Sequence, residues 1–278
     1  MGMKSFARQF RYSALWLAAF TGTSVAEPPP HQWALPKYLR EASGLDVISE
    51  HMLLAHNDEK GKIYRLNLET ETVAQVAAIG KPAVRDDFEG IAADGSRVFL
   101  ITSKGMLYII EEPAVLSPAT TEKHIVNARR LSTGAGRYCE IEGLHYEAGI
   151  LLLPCKTVLT PGDKGHLIVL AYELISGRLS TLIKIPKPAI PGIKKLNLTA
   201  IDATDNHYYI VAANRLVLID KQSRQTRTFK LKKSVHQQVE GLAVMPDGSF
   251  VLVEDNRDGI SRVSQYQSLD QLEEKGID

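Results

Sequence analysis

Five times along the chain a side chain bearing oxygen stands three places before a glycine, and another stands one place before it. The copies are Glu41-Ala42-Ser43-Gly44, Asp87-Phe88-Glu89-Gly90, Glu140-Ile141-Glu142-Gly143, Asn197-Leu198-Thr199-Ala200 and Gln238-Val239-Glu240-Gly241, with alanine replacing glycine in the fourth. An apolar residue separates the two polar ones each time. On an extended strand, where side chains alternate, both polar positions therefore fall on one side. A second recurrence lies thirteen and fourteen residues after each glycine position: Asn57-Asp58, Ser103-Lys104, Lys156-Thr157, Ala213-Asn214 and Glu254-Asp255. In a hairpin this second set returns beside the first.

The two sets hold the carboxylates Glu41, Asp58, Asp87, Glu89, Glu140, Glu142, Glu240, Glu254 and Asp255, against Lys104 and Lys156 alone. Gathered round one axis, so many like charges repel unless some hold protons or a cation sits among them. All the donors are oxygen, with no His or Cys supplied by the repeat, which suits a hard cation such as Ca²⁺ better than zinc. The competing reading is architectural: the carboxylates accept backbone N–H bonds from a neighbouring unit and the glycines permit close approach. His56 beside Asn57-Asp58 and His145 after Glu142-Gly143-Leu144 are the candidates for an acid–base pair. No nucleophile elbow and no Gly-rich phosphate loop occurs.

The elements that must carry these residues are short strands. Between the first and second glycine they fall at Gly44 to Ile48, Met52 to His56, Lys62 to Leu68 and Thr72 to Ile79, parted by turn residues such as Glu59-Lys60-Gly61. The intervals between glycine positions are 46, 53, 57 and 41 residues. A four-strand unit recurring at this period predicts an all-β protein, a β-propeller of five four-stranded blades. Six blades are the alternative and need one unmarked copy. The last copy holds three clear strands, so a strand from Trp33 to Leu39 is expected to supply the fourth and close the ring, which removes exposed edges. Cys139 and Cys155 lie at the two ends of a hairpin about three residues out of register, so either a disulfide or two buried thiols fits them.

The string from Glu41-Ala42-Ser43-Gly44-Leu45 through Asn57-Asp58 and Gly61-Lys62-Ile63-Tyr64 to Asp86-Asp87-Phe88-Glu89-Gly90-Ile91 resembles the SdiA-regulated family of exported bacterial propellers. Glu142-Gly143-Leu144 followed by Leu152-Leu153-Pro154-Cys155-Lys156 is similar to it as well. The resemblance implies calcium near the channel, held as in the phytase-like and gluconolactonase-type propellers. Carried onto this chain, it gives Glu41, Glu89, Glu142, Asn197 and Glu240 as metal ligands. The remaining polar residues of the channel face are then Asn57, Asp58, Asp87, Glu140, Lys156, Asn214, Glu254 and Asp255.

Around this domain, expected over residues 38–267, lie a lead-in at 27–37 and a polar tail at 268–278. Residues 1–26 read as a cleaved signal peptide: Lys4, Arg8 and Arg11, an apolar run from Ala14 to Phe20, then Ser24-Val25-Ala26. A periplasmic or secreted protein follows, in a compartment where a disulfide persists. The run is far short of the roughly 20 residues of a membrane span. Losing this segment removes three basic residues from 33 and leaves 32 acidic ones, a net charge near −2 that argues against nucleic acid as partner. The expected mature protein is a monomeric binding module for a small molecule or protein. Its alternatives are a calcium-dependent hydrolase of an ester, lactone or phosphoester and a metal-free scaffold.

Overall fold

The computed structural model describes residues 30–117, 122–256 and 259–275; the signal peptide read from residues 1–26 lies outside them. No α-helix occurs among the described residues, and no helix is long and apolar enough to cross a membrane. Five antiparallel sheets stand in a ring, each opening with the strand that carries one copy of the repeat. The first blade runs Ala42–Ser49, Met52–Asn57, Lys62–Asn67 and Thr72–Ile79, within a residue or two of the strands legible in the sequence. It gains a parallel edge strand, His124–Val126, lent by the long connection of the second blade. The second blade is Phe88–Ala93, Val98–Thr102, Met106–Ile110 and Arg129–Ser132.

In the third blade the inner strand is split at Gly143 into Cys139–Ile141 and His145–Glu147, both paired with Ile150–Val158; His166–Glu173 and Leu179–Pro186 complete the blade. The fourth is Leu198–Ala203, His207–Ala212, Arg215–Asp220 and Thr226–Lys230. The segment read as a polar tail adds Glu273–Lys275 to this edge.

Ring closure comes from the N-terminus. The fifth blade has three strands of its own, Val239–Val244, Phe250–Glu254 and Arg262–Tyr266, and takes its outer strand from His31–Ala34, in register from His31 opposite Gln265 to Ala34 opposite Arg262. The closing strand thus begins two residues before the expected Trp33, and Lys37–Leu39 turns instead as a 3₁₀ segment that buries Leu39. Pro36 explains the stop, since it cannot donate to a ladder.

The core is divided as a propeller requires. Five buried apolar clusters occupy the five interfaces between neighbouring blades; Phe99, Leu151 and Leu153 belong to the one between the second and third, and Trp33, Leu53 and Val253 to the one that seals the fifth against the first. Along the axis the inner strands touch backbone to backbone. An added Cβ on Gly90 would lie 2.5 Å from the carbonyl carbon of Gly143, and Gly143 itself has φ +124°, closed to side chains. The architectural role of the glycines is therefore real.

Cys139 and Cys155 form a disulfide, Cα atoms 5.5 Å apart, which ties the split inner strand to its neighbour where the register shifts between Glu140 and Ile141. Both are buried in the cluster between the second and third blades. Replacing both by alanine should lower stability by about 3 kcal/mol, the scale expected for a closed loop of this length. Chemical denaturation of the pair variant against the native chain measures it, and an unchanged midpoint would show the bond to be dispensable.

Candidate functional site

Each inner strand carries one extra residue near its glycine. Phe88 pairs with Thr102 and Gly90 with Ile101, so Glu89 is unopposed; Thr199 in the fourth blade and Glu240 in the fifth stand the same way. In the first blade the shift falls between Ala42 and Leu45, and in the third, five residues from Ile141 to His145 oppose four from Leu152 to Cys155. These are β-bulges, which re-aim a side chain and sharpen the local twist. In four of the copies the polar residue before the glycine, Ser43, Glu89, Glu142 or Glu240, reaches the channel mouth, while Thr199 of the fourth is buried and donates to the Val239 carbonyl.

There the structure brings together Ser43, Asp58, Asp87, Glu89, Glu142, Glu240 and Asp255 around a cavity of about 650 Å³, also lined by Gln237, Gln238 and Asn256, with Lys156 the one cationic side chain in its wall among the described residues. Lys156 Nζ donates to Glu142 Oε1, and Gln238 Nε2 donates to Glu240 Oε1. Burial, reinforced by Glu142 and Asp87, pushes the Glu89 carboxyl up to about 9. Burial likewise raises Glu240 to about 7. Glu142 is raised by burial, with the Lys156 ammonium opposing the rise. The mutual repulsion of crowded carboxylates expected from the repeat is present, and near neutral pH it is relieved by protons and one lysine.

Other predicted residues lie elsewhere. Glu41 and Asn57 line a separate hollow of about 300 Å³ on the first blade, with Lys37, Arg40, Lys60 and Lys62. Asn197 and Asn214 line a groove over the fourth blade. Glu140 is exposed on its strand. Glu254 points into the fifth blade, where His236 Nδ1 lies 2.8 Å from its Oε1 and His236 Nε2 meets the Tyr266 hydroxyl. Its neighbour Asp255 lines the cavity, as alternation along a strand dictates. Of the five expected metal ligands, Glu89, Glu142 and Glu240 share the cavity while Glu41 and Asn197 do not. The donor set is all oxygen, as calcium prefers, yet among the described residues no group of three or more His, Cys, Asp or Glu is arranged to hold a metal ion.

His56 is no acid–base candidate in this setting. It is buried beneath Gly44, where a Cβ would lie 2.8 Å from its Nε2, and burial lowers its pKa to about 4, so the ring stays neutral. His145 has a different partner from the expected one. Its Nδ1 lies 2.7 Å from Asp202 Oδ1, on the far side of the glycine neck from the acidic cavity. Asp202 Oδ2 accepts from Val244 N of the fifth blade at 2.6 Å, and Asp46 Oδ2 of the first blade accepts from Ala93 N of the second at 2.7 Å. Burial and the nearby Asp202 raise Asp46 to about 7. Asp46, His145 and Asp202 all stand two places after the glycine position of their copies, a coincidence that the aligned repeats contain but that a search ending at the glycine overlooks.

No family model matches the chain, and no curated protein matches it. Among solved structures it is similar to the glutaminyl cyclase of Myxococcus xanthus, with 14% identity over 90% of this chain and 97% of that one and a TM-score of 0.53. It is also similar to a structural-genomics protein of unknown function from Bacteroides thetaiotaomicron, with 12% identity over 81% of this chain and 57% of that one and a TM-score of 0.51. At such identities the likeness is one of fold, the β-propeller.

Proposed function

We propose that the protein is an exported binding module whose channel-face cavity takes a cationic ligand. The observation that carries this reading is the charge of the wall: among the described residues six carboxylates, Asp58, Asp87, Glu89, Glu142, Glu240 and Asp255, face one hollow in which Lys156 is the sole cation. Export is supported by the N-terminal segment and by the Cys139–Cys155 bond, which persists in an oxidising compartment. Resemblance to the SdiA-regulated propellers points the same way. Calcium is one candidate occupant and would have to draw Glu89, Glu142 and Glu240 together. An organic ammonium ion needs no such convergence, because each N–H addresses a different carboxylate, and it is the occupant we favour.

A bound cation competes with the protons on Glu240 and Glu89. Affinity for 1,4-diaminobutane should therefore rise with pH from about 7 to about 9, the range in which those two carboxyls ionise. Each displaced proton adds at most about tenfold per pH unit. The ligand-free protein should lose stability as pH rises from about 4.5 to about 9, since carboxyls raised in the folded state bind more protons there than in the unfolded chain, the Glu240 share ending near 7 and the Glu89 share near 9. Titration calorimetry and thermal melts at several pH values, with the diamine and with calcium, measure both. If neither cation binds or shifts the melt at any pH, the reading falls. Glu89→Gln, which mimics the protonated acid, should flatten the pH dependence.

Catalysis is the second reading, favoured by Glu89, a carboxyl that keeps its proton near neutral pH next to ionisable neighbours and can thus serve as a general acid. The activity named for the Myxococcus xanthus neighbour, glutaminyl cyclisation, is the first to assay, followed by ester, lactone and phosphoester hydrolysis.

A further inference from the structure

The acidic cavity has a neighbour of opposite sign. Beside it, over the fourth blade, lies a groove of about 750 Å³ lined by Lys156, Lys194, Lys195, Arg215 and Lys233 and, among the described residues, by one carboxylate, Glu240. The two hollows are continuous through shared residues: Lys156, Gln237, Gln238 and Glu240 line both. Lys194, Lys195 and Lys233 are exposed, and among the described residues none has a carboxylate partner. Arg215 reaches the Gly192 carbonyl through Nε, while its Nη1 is enclosed with no hydrogen-bond partner among the described residues, a donor without an acceptor.

The sequence of the fourth copy is built to this end. Where the second copy is preceded by Asp86 and carries Asp87 and Glu89, the fourth is preceded by Lys194-Lys195 and carries Asn197 and Thr199. Thr199 spends its hydroxyl on the Val239 carbonyl of the next blade, at 2.6 Å. The departure from the Glu-Gly pattern is thus a reversal of sign on one sector of the channel mouth, with neutral Asn197 and Thr199 at the carboxylate positions and lysines in the loop before them.

We infer that the cavity and the groove are two halves of one bipolar site, and that its ligand is a short peptide or amino acid held by both charges. The terminal ammonium lies among Glu89, Glu142 and Glu240, and the carboxylate lies against Lys194, Lys195 and Arg215. Gln237 and Gln238, at the junction, carry both donors and acceptors and suit the amide bonds between the two ends. This inference rests on the cationic reading of the acidic half; the anionic half stands on the groove alone.

Titration calorimetry on the full chain with 1,4-diaminobutane, with glutarate and with glycine peptides of two to five residues tests it. One peptide length should bind at least about tenfold more tightly than both the diamine and glutarate. Lys194→Glu combined with Lys195→Glu, two exposed positions, should cut peptide affinity about tenfold or more while leaving diamine affinity unchanged or improved and the melting temperature intact. Peptides that bind no better than the diamine, or a double variant that binds them as the native chain does, overturn the bipolar site and leave the cationic cavity standing. Glutarate binding without diamine binding would instead overturn the cationic cavity, and the bipolar site with it.

Discussion

Gly90→Ala should leave little folded protein. The new methyl carbon would lie 2.5 Å from the Gly143 carbonyl carbon, 2.6 Å from Leu144 N and 2.7 Å from Leu144 Cβ, and two of these three atoms are backbone of the next blade's inner strand. Nothing flexible is available to give way. To make room, the second and third blades must part along the axis, and the cluster they share, from Phe99 to Tyr172, opens with them. We expect a loss above about 4 kcal/mol, the range reserved for core overpacking and strain at special positions. At roughly 2–4 °C per kcal/mol for a domain of this size, the melting temperature falls by about 10 °C or more. Gly162→Ala is the control, since a Cβ there meets nothing within 4 Å and the φ is ordinary; it should change stability by less than about 0.5 kcal/mol. Thermal melts of the two variants side by side decide the matter, and equal melting temperatures would refute the account of the neck.

Asp202→Ala is the second large effect. This carboxylate accepts from Val244 N at 2.6 Å and Ala203 N at 2.7 Å and faces His145 Nδ1 at 2.7 Å, so one side chain links the third, fourth and fifth blades. Removing it orphans two backbone donors and strands an imidazole whose pKa is raised mainly by the Asp202 charge acting against burial. Breaking a buried ion pair from one side costs about 3–5 kcal/mol. Asp202→Asn, which keeps one oxygen acceptor, should lose less. His145→Leu together with Asp202→Leu should recover part of the loss, because the uncompensated charge is gone. Denaturant midpoints across the three variants test the ordering, and a harmless Asp202→Ala would show that this end of the channel is not what holds the ring.

How much of this could be read from the chain depends on the type of signal. Strand positions were legible to within a residue or two in the first blade, because turn residues such as Glu59-Lys60-Gly61 interrupt short apolar runs. Five copies of the polar-glycine step announced five blades. The closing strand was misplaced by two residues since Trp33 is the conspicuous residue, while the ladder starts at the polar His31 and Gln32. Strict alternation placed the residues three and one before each glycine on one side. Every copy carries a bulge there, yet Asp87 with Glu89 and Gln238 with Glu240 share the cavity, whereas Glu41 and Glu140 lie apart from Ser43 and Glu142. No local pattern in the sequence announces a bulge of this kind, because it arises from how the strand meets its partner.

The same reasoning explains the cluster on the far side of the neck. Asp46, His145 and Asp202 are separated by 99 and 57 residues along the chain, and only the superposition of copies puts them in one place. The basic groove was hidden for another reason. Lys194 and Lys195 sit in the loop that precedes the fourth copy, outside the repeat, and the copy itself carries neutral Asn197 and Thr199 where others hold carboxylates.

His31 pairs with Gln265, and this bears on how the molecule comes into being. At synthesis rates of 5–20 residues per second, roughly 10–50 s separate the emergence of these two residues. Throughout that delay Trp33 and Leu35, buried in the finished ring, wait with no fifth blade to cover them. Four blades can assemble in order, each on the last, but the seam closes only when nearly the whole polypeptide has been made. Contacts so distant in sequence fold slowly, and a nascent chain in this state presents an open sheet edge to every other copy near it. A helper that shields the N-terminal strand during that interval would raise the yield of the native ring without altering its final stability.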